Sequence, residues 1–255
     1  MLNFRIILFF FLGALVFLIH WDWGAVVSIW WYVLLAVIFL IVLILASFSM
    51  SWDFFLKSYT GNIKLRSKQV AITFDDGPHP DYTPTVLDLL GKYNAKATFF
   101  CIGKRAMANP DIVRAIHNSG HQLGNHSYSH KSKIDFSSKN KWVEQIDRTD
   151  NILSSITAKK IEIFRPPFGV TTPNLGRAIK ETGHKVVGWN IRPFDTVRKN
   201  EKAVSKFICR RIRPGSVILL HDTHARIPGI LEHLLLFLEQ NGYVSVTIKE
   251  LMHET

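Results

Sequence analysis

The chain begins with two long uncharged runs and only then turns to short alternating patterns. Positions 6–19 carry no charge, and after His20, Trp21, Asp22 and Trp23 a second uncharged run covers 24–51. A helix needs about 20 mostly apolar residues to cross a bilayer. The second run exceeds that length, and the first reaches it when counted from Leu2, with Arg5 snorkelling towards the headgroups. The pattern predicts a hairpin of two transmembrane helices over 1–52. A secretory signal peptide also opens on a basic residue and an apolar run, but no small-residue cleavage site separates the two runs. Trp21, Trp23, Trp30, Trp31 and Tyr32 fit an aromatic belt at one membrane face.

A polar tether is expected at 53–67. From Lys68 onward, β-rich runs alternate with helical stretches, which predicts one domain over 68–255. The predicted strands are 69–74, 97–102, 122–124, 161–164, 185–189, 216–221 and 243–247. Helices are predicted at 83–92, 111–118, 138–155, 173–182, 199–211 and 228–241. Pro84, Pro110 and Pro173 stand near helix starts, and Gly120, Gly183 and Gly242 follow helix ends. Such alternation indicates an α/β fold with a parallel sheet of about seven strands, and periodicity alone leaves barrel and open sheet undivided. Asp75, Asp76, His126, Arg165, Asp195 and His221 fall at or just past the C-terminal ends of predicted strands, where parallel α/β folds build their sites.

Charge adds a partner class. Of 31 basic and 20 acidic residues, nearly all lie beyond the apolar runs, and the surplus favours an anionic partner such as lipid headgroups. Nucleic acid is not expected, because the basic residues form no stripe or known binding motif. Arg5 precedes the first run, Lys57, Lys64, Arg66 and Lys68 follow the second, and only Asp22 lies between, which places both flanks in the cytoplasm. Two cysteines, Cys101 and Cys209, sit in apolar runs and read as buried thiols rather than a disulfide framework.

Four segments carry candidate chemistry. Asp75 and Asp76 leave a hydrophobic strand just before Gly77 and Pro78, so one carboxylate can bind a metal while its neighbour faces a water. Alone, such a sequence is ordinarily a helix-capping turn. His126 and His130 have the i, i+4 spacing that brings two imidazoles to one cation on a helical turn or a tight loop. With Asp76 they make an N,N,O set that leaves a position open for water, as in catalytic zinc sites. Arg165, pressed against Pro166 and Pro167, suits the orientation of a carboxylate such as Asp75, and His221 at a strand exit suits a proton donor.

Taken in order, Thr73-Phe74-Asp75-Asp76-Gly77, His126-Ser127-Tyr128-Ser129-His130, Arg165-Pro166-Pro167-Phe168-Gly169 and Leu219-Leu220-His221-Asp222 resemble the motif series of the polysaccharide deacetylase family, carbohydrate esterase family four. The resemblance runs from about Lys68 to the C-terminus. It implies a distorted parallel (β/α) barrel and one divalent ion, usually zinc, on Asp76, His126 and His130. Asp75 then matches the general base, Arg165 its tether and His221 the general acid, with Asp195 tuning His221. Phe168, through its backbone N–H, Pro167, Leu219 and Trp189 fall on the substrate side. A metal of this kind lowers the pKa of its water from roughly 16 towards about 7, which brings proton removal within reach of a carboxylate.

One segment departs from the family pattern. Where the family usually reads Asp-X-X-Asp-Trp, this chain reads Arg192-Pro193-Phe194-Asp195-Thr196, so Arg192 replaces a carboxylate and Thr196 a groove-wall Trp. The acid and base remain, and the sugar groove changes. The expected substrate is an N-acetylated amino sugar in peptidoglycan or a chitin-like oligosaccharide. A lipid-linked or nucleotide-linked amino sugar at the membrane surface is the alternative, and an inactive sugar-binding protein of the same fold a third reading. Polymers of this kind lie outside the inner membrane, so the family resemblance favours an external domain where the charge pattern favours a cytoplasmic one.

Overall fold

A computed structural model describes residues 4–24, 27–62 and 64–253. Two helices open it, α1 (Phe4–Gly24) and α2 (Ile29–Ser47), and among their described side chains only Ala46 is buried, the rest being half-buried or exposed. Both are long and apolar enough to cross a membrane. Phe11 of α1 stacks on Phe39 of α2, with ring centroids 4.2 Å apart.

Next come the strands β1 (Ser58–Tyr59) and β2 (Gln69–Asp75), then α3 (Thr83–Lys92), β3 (Ala97–Cys101), α4 (Gly103–Ala108), α5 (Pro110–Asn118) and β4 (Gln122–Asn125). The second half runs α6 (Lys139–Thr157), β5 (Ile163–Phe164), α7 (Pro173–Thr182), β6 (Lys185–Val187), α8 (Glu201–Cys209), β7 (Val217–His221), α9 (Ile227–Gln240), β8 (Val244–Ser245) and α10 (Ile248–His253). The sheet order is β1-β6-β5-β4-β3-β2-β7, all parallel, with β8 pairing β2. Bridges from Gly61 to Ser216 and from Ile191 to Ile218 carry chain from one end of the sheet to β7 at the other. The sheet is thereby curled towards closure, as the family resemblance implies and as strand periodicity could not decide.

Burial follows the two-residue period of a strand covered on both faces. Val70, Ile72 and Phe74 of β2 join the large core beneath α3 and α9, while Ala71 points into the barrel with Phe100, Ile163, Val187 and Val217. Gly124 leaves room for Phe100, whose ring a Cβ at that position would meet at 2.5 Å. The next inward positions on β2 are Thr73 and Asp75, so the same alternation that fills the barrel delivers polar groups to its mouth.

The segment expected as a tether is instead packed. Met50 and Phe54 are buried, Ser58 donates from its backbone to Asp53 Oδ1 at 2.9 Å and from its hydroxyl to Met50 O at 2.6 Å, and β1 pairs with β6. Burial of Phe54 and the pairing of β1 with β6 outweigh the polar composition that suggested a free linker. Thr171 N donates to Ser47 O at 2.8 Å, which ties the end of α2 to the loop after β5.

Candidate functional site

All the polar residues expected at strand exits converge on one end of the barrel, around a cavity of about 320 Å³. Asp76 follows β2 in the left-handed region, at φ 71°. Gly77 beside it is required by close approach: a Cβ there would lie 2.5 Å from both oxygens of the Asp222 carboxylate. His126 and His130 come from the loop after β4, the tight-loop form of their spacing, in which Ser127 and His130 also have positive φ. Asn125 Oδ1 accepts from Ser127 N at 2.8 Å, and Gln145 Oε1 of α6 accepts from Ser129 N at 2.9 Å. Five of the eight non-glycine residues at positive φ, namely Asp76, Ser127, His130, Phe168 and Phe194, lie in or beside this cavity. Such concentration of backbone strain marks sites whose geometry the surrounding structure enforces.

Asp76 Oδ1 lies 3.5 Å from His126 Nε2 and 3.2 Å from His130 Nε2. His126 Nδ1 is 2.8 Å from Arg165 O, and because a carbonyl only accepts, that nitrogen carries the proton and Nε2 presents its lone pair. Burial, and then the neighbouring His126, lower the His130 pKa to about 4, so its ring is neutral. Burial pushes the Asp76 carboxyl upward, but its three imidazole neighbours, His126, His130 and His221, outweigh that and hold it below the ordinary value. Asp76 Oδ1 is buried without a hydrogen-bond partner. An orphaned anionic oxygen facing two imidazole lone pairs is unfavourable alone and suits a divalent cation bridging all three. The donor atoms lie within 4.8 Å of one another, so the residues fit the implied metal.

Arg165 and Asp75 flank this group. Arg165 is wholly buried, stacked on Phe100 at 4.1 Å, and its donors are used by Val187 O, Gly188 O, Thr73 Oγ1 and Asp75 Oδ1, the last two at 2.7 Å. It is therefore a barrel-filling cation rather than a surface ion pair. Asp75 Oδ2 is left towards the cavity, 3.8 Å from His126 Nε2.

On the other side, Asp195 Oδ1 lies 3.0 Å from His221 Nδ1, and Asp195 Oδ2 accepts from His221 N at 2.9 Å. Burial lowers the His221 pKa, but the Asp195 hydrogen bond and charge prevail and raise it to about 9. Phe168, Trp189 and Leu219 line the cavity, whereas Pro167, expected among the substrate residues, is buried and does not. Gly169, at φ 72°, lets the loop run against Trp189, whose ring a Cβ would meet at 2.3 Å.

Several participants escaped the sequence reading. His224 Nε2 lies 3.1 Å from Asp195 Oδ2, a second imidazole on the same carboxylate, and its spacing of three from His221 was the available signal. Asp222, wholly buried and raised to about 6 by that burial, takes the Thr83 hydroxyl beneath the Asp76 turn. Only tertiary packing brings Thr83 there.

A parallel barrel that gathers a cation-binding trio, a tethered carboxylate and a carboxylate-held imidazole at its strand exits defines a hydrolase-type (β/α) protein. The model of the family described as Polysaccharide deacetylase matches residues 62–187. A peptidoglycan-N-acetylglucosamine deacetylase of Bacillus cereus is 33% identical over 198 residues, covering 76% of this chain and 92% of that protein. PgdA of Listeria monocytogenes, also a peptidoglycan-N-acetylglucosamine deacetylase, is 34% identical over 188 residues, but this chain spans only 40% of its length. The solved peptidoglycan deacetylase PdaC of Bacillus subtilis superposes with a TM-score of 0.69 at 29% identity, over 76% of this chain and 93% of that one. A CE4 family pseudoenzyme from Bacillus anthracis superposes at 0.71 with 25% identity, over 77% and 69%. The chain belongs to the polysaccharide deacetylase family.

Proposed function

We propose that this protein is a membrane-anchored, metal-dependent hydrolase that removes the acetyl group from N-acetylated amino sugars. The observation that carries the reading is the convergence of Asp76, His126 and His130 between Asp75 on one side and His221 on the other. A pseudoenzyme shares the fold, so activity is argued from these residues and not from the barrel.

Asp76, His126 and His130 would hold the ion, taken as zinc from the N,N,O donor set, and it would supply Lewis acidity to the acetamide carbonyl and to a water. Asp75, oriented through Oδ1 by Arg165, takes the proton of the attacking water at Oδ2. The backbone N–H of Phe168 meets the charge that develops on the carbonyl oxygen. His221, held protonated by Asp195, gives its proton to the departing nitrogen, so the C–N bond breaks with release of acetate and a free amine.

The division of the chain follows: a two-span hairpin over 1–52, a docked connector over 53–67 and a catalytic domain over 68–255. The Bacillus cereus, Listeria monocytogenes and Bacillus subtilis relatives named above are peptidoglycan deacetylases, and a chitooligosaccharide deacetylase of Azorhizobium caulinodans is 35% identical over 162 residues, which supports a glucosamine-type sugar. The test is acetate release from an N-acetylglucosamine oligomer by the detergent-solubilised full chain with and without added zinc. Asp75→Asn is expected to lower kcat by about 10²–10⁴-fold while leaving bound metal in place. An unchanged rate in that variant removes the proposed base.

A further inference from the structure

We propose that the sugar hydrolysed here is carried on a lipid phosphate at the membrane surface, and that Arg192 at the cavity rim binds that phosphate. The proposal rests on the deacetylase reading and narrows its substrate.

The seat of the domain is the first support. Ser47 ends the apolar helix α2 and is hydrogen-bonded to Thr171, three residues beyond Phe168 in the cavity wall. Three residues span at most roughly 10 Å. With α2 across a bilayer, Ser47 lies near the edge of the hydrocarbon, so the wall of the cavity lies at the headgroup layer. Met50, buried just past α2, packs against Gly188, whose carbonyl holds Arg165. No slack connector remains to carry the domain out to a distant polymer: Met50 and Phe54 are buried and Ser58 begins the edge strand.

The rim is the second. Arg192, exposed, stands where the family segment usually has a carboxylate, and its guanidinium lies 5.2 Å from the Trp189 ring and 4.9 Å from that of Phe194. Among the described residues no ion pair engages it, and the nearby carboxylates of Asp75 and Asp195 are already held by Arg165, His221 and His224. A planar cation on aromatic faces is suited to phosphate. Phe194 and Val197 beside it are 45% and 74% exposed, an apolar rim suited to an amphiphile. A cavity of about 320 Å³ accommodates a sugar unit.

Charge is the third. Arg5 and Lys57 flank the hairpin on the side of the domain, with Asp22 at its far turn, which favours a cytoplasmic face for the domain. A nucleotide-linked sugar also carries phosphate, but it diffuses in water and has no need of a site fixed to the bilayer.

The experiment uses the full chain with zinc in phospholipid nanodiscs and measures acetate released from three compounds. These are polyprenyl-phosphate-linked N-acetylglucosamine in the same bilayer, UDP-N-acetylglucosamine, and a neutral N-acetylglucosamine oligomer. The lipid-linked sugar is expected to give the highest kcat/KM, and Arg192→Glu to lower it at least about ten-fold more than it lowers that of the neutral oligomer. A preference for the neutral oligomer or the nucleotide, or an equal effect of the variant on all three, overturns the proposal and leaves the deacetylase reading standing. Absence of acetate from all three overturns both.

Discussion

At the scale of single residues, the site is governed by which carboxylate is held by which cation. Asp75 and Asp195 are both buried beside the cavity, yet one is bound by a guanidinium and the other by two imidazoles, and this separates a proton acceptor from a proton donor. His221 titrates to about 9 because Asp195 more than offsets burial. Its folded pKa is raised above the ordinary 6.5, so the pair stabilises the fold fully below pH 6.5 and that contribution is lost as pH rises through about 9. NMR titration of the metal-free protein is expected to show that value, and Asp195→Asn to lower it, since only the weaker attraction of Asp75 and Asp76 is then left against burial. A His221 pKa unmoved by Asp195→Asn separates the two groups. Asp75, Asp76, His126, His130, Arg165 and His221 were legible in the sequence because they stand in recognisable motifs, all but His130 at or just past a strand end. His224 and Asp222 were not singled out, since their meaning depends on which distant side chain they face.

At the scale of elements, α3 and α7 match their predicted bounds because their boundaries are written locally. Thr172 accepts from Leu175 N ahead of Pro173, and Gly183 in the left-handed region stops α7. The final helix α10 was missed although Thr247 and Glu250 form a reciprocal cap, each bonded to the other's end of the turn. At six residues it was too short for periodicity to register. β1 was read as tether because a two-residue edge strand has no period of its own, and its identity comes from β6. A consequence follows for where the domain can be cut. A chain beginning at Lys68 loses the packing of Met50 and Phe54, and is expected to be less stable by roughly 3–6 kcal/mol than one beginning at Ser49. Urea denaturation of the two compares them, and equal midpoints contradict a docked connector.

At the scale of the whole molecule, two apolar helices with almost no buried side chains are long enough to cross a bilayer, and the proposed anchoring in lipid accounts for their exposed surface. The protein is expected to stay with membranes through high-salt and alkaline washes and to leave them only with detergent. A reporter joined after Thr255 is expected to be active in the cytoplasm, and activity on the outer face contradicts the charge-based orientation. The hairpin, the connector and the barrel then form a single device, in which the end of a membrane helix touches the loop that walls the cavity. The ion proposed for it sits on Asp76, His126 and His130. Elemental analysis of the purified full chain after exposure to zinc and removal of excess tests this most directly. The account predicts one zinc per chain, lost in Asp76→Ala and in the His126→Ala, His130→Ala double variant while the fold persists. A folded wild-type chain that retains no zinc, or retains it equally in these variants, contradicts the account.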